Sequence, residues 1–428
     1  MALPIIIMIG YAAYQYDQDQ TMKKQTNWLI KCTLALCFAF FTLSTFAAIT
    51  DQSVQLNALS KIKKTTRPPL IIPPPPSINA KAYVLMDANS GTIIAKKNMD
   101  GRLPPASLTK LMTLYVISEA LSRGQITLDD KVRISEEAWR RGGSRMFVKE
   151  GSSVPVKLLI QGIIVASGND ACVAMAQYIA GSESSFAALM NQTAKRLGMT
   201  NTHFVDSTGL PKPAHYATPH DLAILARALI QNFPQYYSWY KQKWIKYNGI
   251  RQPNRNRLLW RDPSVDGLKT GHTQAAGYCL ISSGVRNSMR LISVVMGTPS
   301  DADRSNDSQA LLNWGFRFYR SHKIFSANTA IAKPRVWFAK HKYASLGVTK
   351  DLYVTTPVGQ FKNIKASMQL PSKLHAPIIK GQAYGKIQIT LKDKPVATTD
   401  LVALDDDPKA GLWSRAIDHI ELFFKGLF

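Results

Sequence analysis

The sequence is poor in cysteine, in acidic residues and in long apolar runs. It contains four cysteines, and its 28 aspartates and glutamates stand against 53 lysines and arginines, which gives a formal net charge of +25 at pH 7. So few cysteines exclude a disulfide framework, and Cys172 and Cys279, in a helical and a strand pattern, are predicted to be free and buried. The positive charge predicts an anionic partner: nucleic acid, an acidic membrane surface or a polymer that carries carboxylates.

Motifs for nucleic acids and for metals are also missing. The basic residues are spread along the chain, and no finger, RNP-like or basic-helix pattern is present, so we expect no nucleic-acid partner. A zinc peptidase would have to draw its ligands from His203, Asp206, His215 and His220, but the chain has no H-E-x-x-H motif and no cysteine pair. We therefore expect neither a metal nor a cofactor.

The N-terminal apolar stretch is shorter than the ~20 residues that cross a bilayer. Residues 22–48, MKKQTNWLIKCTLALCFAFFTLSTFAA, begin with two lysines near the start, continue with an apolar run and end with small residues, Thr45 and Ala47, at the spacing of a cleavage site. This pattern predicts a signal peptide and an exported protein, with an uncleaved anchor as the alternative. Residues 1–21 fit no part of that plan, and we expect them to be an extension upstream of a true start at Met22.

The rest of the chain has the composition of a globular protein, with 46% hydrophobic residues overall. Residues 49–77 end in RPPLIIPPPPS and are predicted to be an extended linker, because proline restricts the backbone and removes hydrogen-bond donors. Residues 78–325 hold a hairpin pattern, a block of helical patterns, further strands and a closing helix. That order predicts an α+β domain in which helices cover an antiparallel sheet.

Two further segments follow that domain. Residues 326–408 alternate in polarity without a helical period, which predicts a small all-β domain that acts as a spacer or docking module. Residues 409–428 include GLWSRAIDHIELFFKGLF, whose apolar residues share one broad face of a helix. Because charges occur throughout, this amphipathic helix suits a membrane surface rather than a membrane span; the alternative is a helix packed on the β domain.

Three short motifs occur in one order inside the predicted α+β domain. They are Ser107-Leu-Thr-Lys110 at a helix start, Ser167-Gly-Asn169 on a turn between two apolar helices, and Lys269-Thr270-Gly271 on a strand. The first is weak alone, because serine is a common helix cap and S-x-x-K recurs at Ser60 and Ser238. K-T-G occurs only once, and the three motifs together, each in a suitable element, indicate a catalytic site.

The same three motifs in this order form the active site of the penicillin-recognising serine enzymes. The chain resembles the D-alanyl-D-alanine carboxypeptidases of the penicillin-binding protein 5 and 6 type, over roughly residues 78–428. The resemblance rests on the segments INAKAYVLMDANSGTIIAKKN, PPASLTKLMTLYV, ASGNDACVAMAQYIAG, NRNRLLW and VDGLKTGHT. It implies the penicillin-recognising serine enzyme fold: an antiparallel sheet with helices on both faces and a helical subdomain, followed by the small β domain and the C-terminal amphipathic helix.

The resemblance also implies an activity and a location. The expected enzyme is a serine peptidase that removes the terminal D-Ala from peptidoglycan stem pentapeptides through an acyl-enzyme and is acylated by β-lactams. It would be exported and held at the periplasmic face of the cytoplasmic membrane by residues 410–428. A D,D-endopeptidase, a β-lactamase of the same fold and a non-catalytic cell-wall binding protein are the alternatives; against the β-lactamase, no E-x-x-L-N follows the second motif.

The residues suit the three catalytic roles that this reaction needs. Serine is a poor nucleophile unless a base takes its proton, and one helical turn places Lys110 beside Ser107. Lysine acts as a base only when neutral, so its pKa must fall, and both burial and a nearby cation such as Lys269 would lower it. Ser167 is predicted to relay a proton toward the departing amine.

The remaining residues are predicted to bind the substrate. The amide of Asn169 suits the peptide backbone, Lys269 and Thr270 suit a terminal carboxylate, and Gly271 allows a close approach to the strand. By the family resemblance, the backbone N–H groups of Ser107 and His272 hold the oxyanion.

One loop departs from the family pattern, which often has paired serines before Met-Phe. Here the loop reads RGGSRMF, with Gly143 and Arg145 on either side of Ser144. If the loop lines the site, the departure bears on substrate preference and on the rate of deacylation.

Overall fold

A computed structural model describes residues 71–425 of the chain. The predicted extension (1–21) and the predicted signal peptide (22–48) lie outside the described residues. So do residues 49–70 of the predicted linker and residues 426–428 of the predicted amphipathic helix.

The first domain is built around a five-stranded antiparallel sheet. In this part of the described chain the strands are β1 (Ala82–Asp87), β2 (Ile93–Lys97), β3 (Lys131–Arg133), β4 (Ser153–Pro155), β5 (Trp244–Tyr247), β6 (Ile250–Pro253), β7 (Val265–Thr273), β8 (Gly277–Arg286) and β9 (Met289–Thr298). The sheet has the order β2-β1-β9-β8-β7, while β3 pairs with β4 and β5 with β6 as separate hairpins. Its edge strand β7 carries the Lys-Thr-Gly motif.

Both faces of this sheet are buried, because alternate residues of its strands enter two different cores. On β1, Val84 and Met86 belong to a core shared with most of the helices, whereas Leu85 belongs to a second core. On β9, Val294 belongs to the first core and Val295 to the second. This period of two is that of an extended strand, and it places helices on both sides of the sheet. The predicted fold class is confirmed.

The helices are distributed over the two faces. They are α1 (Lys110–Ser122), α2 (Glu136–Arg140), α3 (Val156–Gln161), α4 (Asn169–Ala180), α5 (Glu183–Arg196), α6 (Pro219–Asn232), α7 (Pro234–Tyr237), α8 (Leu258–Arg261) and α9 (Asp301–Phe318). Helix α9 covers the second core, and α1, α4, α5 and α6 contribute to the first. Ser182, Thr218 and Ser300 cap α5, α6 and α9, since each side-chain oxygen accepts a backbone N–H three residues later.

The second domain consists of short strands and begins earlier than predicted. Its strands are β10 (Tyr319–Phe325), β11 (Val336–Trp337), β12 (Leu346–Gly347), β13 (Leu352–Pro357), β14 (Ile364–Gln369), β15 (Leu374–His375), β16 (Ala383–Leu391) and β17 (Lys394–Ala403). Strand β10 pairs with β13, so it belongs to this domain, whereas the sequence prediction placed the boundary after residue 325. The boundary was missed because helix α9 runs directly into β10, with no glycine or proline between them.

The end of the predicted linker packs on the first domain. Ile72 contacts the second core, and the carbonyl oxygen of Pro73 accepts a hydrogen bond from Nε1 of Trp314 at 3.2 Å. The prolines do keep this segment free of helix and strand, but an extended backbone still offers carbonyl acceptors and aliphatic side chains. Residues 72 and 73 are therefore not a free tether.

The C-terminal helix, α10 (Leu412–Lys425), docks through its polar side. Arg335 forms ion pairs with Asp418 at 3.1 Å and with Glu421 at 2.6 Å. The large apolar side chains point away from the domain and are exposed: Leu412, Trp413, Ile417, Ile420, Phe423 and Phe424. The helix therefore does lie on the β domain, as the alternative expected, but through its polar side and with its apolar face turned outward. In the described part of the chain, no helix is both long and apolar enough to cross a membrane.

Candidate active site

Ser107 and Lys110 lie on consecutive turns at the start of one helix. Residues Ala106–Thr109 form a 3₁₀ turn that continues directly into α1. Nζ of Lys110 lies 2.8 Å from Oγ of Ser107 and donates a hydrogen bond to the carbonyl oxygen of Thr208 at 2.7 Å. The second contact holds the amine in place, so that it faces the hydroxyl of Ser107.

Burial makes the ammonium group of Lys110 a stronger acid than it would be in water. Its side chain is 0% exposed, and removal from water lowers its pKa to about 8. The cation of Arg255 lowers the pKa further, while the carboxylates of Asp206 and Asp170 act in the opposite direction. Burial is therefore the main cause, and the expected contribution of a neighbouring lysine is not among the main ones for Lys110.

The backbone around the nucleophile depends on a glycine distant in sequence. Ala106 has a φ of 48°, in the left-handed region. Gly209, with a φ of 82°, lies so close that a Cβ there would come within 1.8 Å of the carbonyl oxygen of Ala106. The segment that contains Thr208 and Gly209 thus supports both the turn of Ser107 and the amine of Lys110.

Ser167 and Lys269 form a second serine–lysine pair in the same cleft. Ser167 ends a π-helical turn, Gly162–Ala166, in the left-handed conformation. Nζ of Lys269 donates to Oγ of Ser167 at 3.0 Å and to the carbonyl oxygen of Thr270 at 3.0 Å. Burial, followed by the charge of Lys110, holds the pKa of Lys269 well below its usual value. A carboxylate bound beside Lys269 would reverse this effect by stabilising its charged form.

Asn169 begins α4 and is held by the loop that departs from the family pattern. Its Nδ2 donates to the carbonyl oxygen of Gly142 at 2.6 Å, and its backbone N–H donates to the carbonyl oxygen of Ser144 at 2.7 Å. A Cβ on Gly143 would lie 2.5 Å from Nδ2 of Asn169, so the glycine leaves room for this amide. Oδ1 of Asn169 is buried without a hydrogen-bond partner, and a substrate N–H would satisfy it.

The side chain of Asp170 holds the backbone of the loop around Gly143. Its buried carboxylate accepts hydrogen bonds from the backbone N–H groups of Met146 at 2.9 Å, Phe147 at 2.8 Å and Val148 at 3.2 Å. The carboxylate thus fixes three successive backbone groups of an irregular segment. The loop departs from the family sequence, but it is held rigidly at the edge of the cleft.

The strand β7 places the third motif against the turn of Ser107. A Cβ on Gly271 would lie 3.1 Å from the carbonyl oxygen of Pro105 and 3.3 Å from Cβ of Ala106. The close neighbour of Gly271 is therefore the turn of Ser107, whereas the sequence analysis assigned that space to the substrate. The exposed ring of His272 stacks on Tyr278 with centroids 4.0 Å apart.

These elements enclose a cleft of about 460 Å³. The sequence-predicted residues that line it are Ser107, Ser167, Thr270, Gly271 and His272. Lys110, Asn169 and Lys269 lie immediately behind the residues that line the cleft. The contacts described above hold them there.

Two arginines of the cleft were not predicted from the sequence. Nη1 of Arg255 donates to Oγ of Ser144 at 2.7 Å, and Nη1 of Arg304 donates to the carbonyl oxygen of Gly271 at 3.0 Å. Both line the cleft and add positive charge beside Thr270. The segment NRNRLLW contains Arg255, but among so many basic residues nothing in the sequence singles out either arginine.

The residues considered as zinc ligands have other partners. Asp206 accepts backbone hydrogen bonds from Thr208 and Gly209 at 2.9 and 2.7 Å. Nε2 of His215 lies 3.0 Å from Oγ1 of Thr109. Within residues 71–425, no three His, Cys, Asp or Glu side chains are grouped as they are around a metal ion.

The two cysteines of the described chain are free and buried. Burial raises the pKa of Cys172 to about 12 and that of Cys279 to about 11. Both thiols are therefore protonated at neutral pH and are poor nucleophiles, in agreement with the prediction of a packing role.

Comparison with known proteins agrees with this architecture. The profile of the D-alanyl-D-alanine carboxypeptidase family matches residues 70–300, and that of the penicillin-binding protein 5 C-terminal domain matches residues 319–409. The D-alanyl-D-alanine carboxypeptidase DacA of Escherichia coli is 45% identical over 366 residues, which cover 84% of this chain and 91% of DacA.

Solved structures give the same result. Penicillin-binding protein 5 from Haemophilus influenzae superposes with a TM-score of 0.74 at 41% identity, over 78% of this chain and 99% of that one. Penicillin-binding protein D2 from Listeria monocytogenes, solved in an ampicillin-bound form, has a TM-score of 0.53 at 29% identity, over 57% of this chain and 100% of that one.

The fold and the relatives define a penicillin-recognising serine hydrolase. More narrowly, the chain belongs to the D-alanyl-D-alanine carboxypeptidase family, of the penicillin-binding protein 5 and 6 type. The family resemblance inferred from the motifs is confirmed, as is the prediction of a serine-type D-Ala-D-Ala carboxypeptidase.

Proposed function

We propose that Ser107 is the nucleophile and Lys110 the general base of a D,D-carboxypeptidase that trims peptidoglycan stem pentapeptides. The observation that carries the proposal is the 2.8 Å contact between Nζ of Lys110 and Oγ of Ser107. Because the pKa of Lys110 falls to about 8, about a tenth of the amine is neutral at pH 7 and free to accept a proton, and this fraction rises with pH. Ser107 would be a poor nucleophile without Lys110, and Lys110 would have no proton to accept without Ser107.

The reaction then proceeds in two steps. Lys110 takes the proton of Ser107 while Oγ attacks the carbonyl carbon of the penultimate D-Ala. The C–N bond breaks, the departing D-Ala amine receives a proton through Ser167, and an ester to Ser107 remains. Water next attacks the ester with Lys110 again as base, and the proton returns to Oγ of Ser107 as the peptide acid is released.

The surrounding groups position the substrate in this proposal. Lys269 and Thr270 hold the terminal carboxylate, and the positive charge of Arg255 attracts it into the cleft. The unpartnered Oδ1 of Asn169 accepts the substrate's backbone N–H. The backbone N–H groups of Ser107 and His272 stabilise the oxyanion, an interaction typically worth about 3 kcal/mol per donor in the transition state.

The first test treats the wild-type protein with benzylpenicillin and maps any adduct by peptide mass. We expect one penicilloyl group on the peptide that contains Ser107, because a β-lactam presents a carboxylate and an acyl carbon to the same groups as the substrate. We also expect release of D-Ala from a pentapeptide that ends in D-Ala-D-Ala.

Each of the other outcomes would indicate a different nucleophile or a different activity. An adduct on another serine would contradict the role of Ser107. Rapid penicillin turnover without an adduct would indicate a β-lactamase, and faster cleavage of cross-linked peptides than of pentapeptides would indicate an endopeptidase. No adduct, no turnover and no D-Ala would leave a non-catalytic binding protein.

We propose further that the protein acts at the periplasmic face of the cytoplasmic membrane, with residues 410–428 lying on the membrane surface. The exposed apolar side of α10, which includes Trp413 and Phe423, supports this location. Such a face gains free energy when it enters the boundary between lipid headgroups and acyl chains. The acidic side chains of the helix stay paired with Arg335, so docking on the domain and binding to lipid use different sides.

Flotation with phospholipid vesicles tests this location. We expect a Trp413→Asp, Phe423→Asp double variant to bind vesicles at least about tenfold more weakly than wild type, because each change places a charge on the buried side of an interfacial helix. Ser414→Ala, outside the apolar face, is the matched control and should float like wild type. Equal flotation of all three proteins would exclude α10 as the anchor.

A further inference from the structure

Two tryptophans stand exposed beside the cleft. Trp244 on β5 is 41% exposed and Trp260 on α8 is 42% exposed. Their rings meet edge to face, with centroids 6.0 Å apart. Neither ring is among the side chains that pack against the hydrophobic cores of the described chain, so the pair leaves a large apolar surface in water. Two exposed rings in contact beside a cleft are a candidate surface for a ligand.

Both rings are connected to residues that line the cleft. Trp244 is paired across the hairpin with Pro253, and cross-strand partners point to the same side of a ladder. The backbone N–H of Trp260 donates to the carbonyl oxygen of Arg257, and residues three apart share one side of a helical turn. Since Pro253 and Arg257 both line the cleft, the tryptophan pair continues its wall.

Cationic side chains surround the pair. The guanidinium of Arg251 lies 4.1 Å from the ring centroid of Trp244, and Nζ of Lys243 lies 5.8 Å from that of Trp260. Each cation lies over one of the rings, so the aromatic pair carries hydrogen-bond donors directly beside its exposed apolar surface. A purely apolar partner would leave those donors without acceptors.

We propose that Trp244 and Trp260 form a subsite for the amino-sugar glycan to which the stem peptide is attached, an inference that rests on the proposed function. One side of a pyranose ring presents C–H groups that pack on an aromatic ring, while its hydroxyl and N-acetyl oxygens accept hydrogen bonds. Arg251 and Lys243 supply the donors for those oxygens. A peptide bound at Ser107 would then carry its sugar onto the neighbouring tryptophan surface.

The kinetic test compares two substrates with the same terminal peptide, one free and one attached to its disaccharide. The Trp244→Ala, Trp260→Ala double variant should lose about fivefold in kcat/KM on the attached substrate, mostly through KM, as expected for the loss of aromatic packing. Its kcat/KM on the free peptide should change by less than about twofold. Tyr343→Ala, which removes an exposed ring in the second domain, is the matched control and should match wild type on both substrates.

A binding test separates this inference from the proposed function. Glycan strands freed of their peptides should retain a Ser107→Ala protein and should retain less of the same protein with both tryptophans replaced. Equal losses on free and attached peptide, or equal retention on the peptide-free glycan, would overturn the glycan subsite. If the wild-type protein released D-Ala from neither substrate, the proposed function would be overturned instead. Binding to the glycan would still be measurable.

Discussion

Replacing Ser107 by alanine should abolish penicillin acylation and lower kcat for D-Ala release by about 10⁵-fold or more, since removal of a nucleophile also disables the base that serves it. The change removes a single oxygen that accepts a hydrogen bond from Nζ of Lys110, and this amine keeps the carbonyl oxygen of Thr208 as an acceptor, so the fold should be unaffected. Noncovalent binding should persist, because Lys269, Thr270 and Asn169 are untouched. Intact mass after exposure to benzylpenicillin and a D-Ala release assay measure the two losses.

The control for this variant is Ser122→Ala. Ser122 lies at the other end of the same helix, and its hydroxyl donates to the carbonyl oxygen of Glu119. We expect wild-type acylation from this control. A penicilloyl adduct on the Ser107→Ala protein would instead point to a second nucleophile, and Ser167, already paired with Lys269, would be the first place to look.

Replacing Lys110 by methionine should lower the acylation rate by about 10³-fold, the usual contribution of a general base. Methionine fills the same buried space without a charge, so this loss would come from chemistry more than from packing. In wild type the acylation rate should rise with pH through about 8, because only the neutral form of Lys110 accepts a proton. This rise should be absent in the variant, and stopped-flow acylation across pH 6 to about 10 measures both effects.

An exposed lysine serves as the control for that variant. Lys157→Met, on α3, should keep both the rate and the pH profile of wild type. Thermal unfolding of each variant separates catalytic loss from unfolding. If Lys110→Met kept the rising limb near pH 8, the titrating base would have to be another group, and Lys269 would replace Lys110 in the proposed mechanism.

Some elements of the fold were predicted from the sequence and others were not. The sequence placed Ser107 to Lys110 at a helix start, and the structure has a 3₁₀ turn there that continues into α1. In contrast, the hairpin of β5 and β6 was not predicted, although it forms a wall of the cleft. Its residues, WIKYNGIRQP, contain an Asn-Gly turn between two extended runs, which is a hairpin signal that the prediction overlooked. On β5, exposed and buried residues alternate from Trp244 to Lys246.

The candidate site was also predicted from the sequence only in part. The motifs named Ser107, Lys110, Ser167, Asn169 and the residues of β7 as one group, and the structure brings them to one cleft. The contacts that hold Asn169 in that group come from the loop around Gly143, which Asp170 anchors. Sequence spacing contains no signal for this support, because the loop lacks regular structure and its partners are set only when the chain folds.

The sequence by itself determined the helices and strands with clear periodicity, the order of the three motifs and the family to which they belong. These features depend on neighbouring residues and on local chemistry, so they can be recognised before folding. Only the tertiary structure decided that Lys110 is buried deeply enough for its pKa to fall to about 8 and that Arg255 enters the cleft. It also decided that Trp244 and Trp260 meet beside the cleft. A pKa, a cleft and a packing contact depend on groups from distant parts of the chain, and the folded structure alone sets their separations.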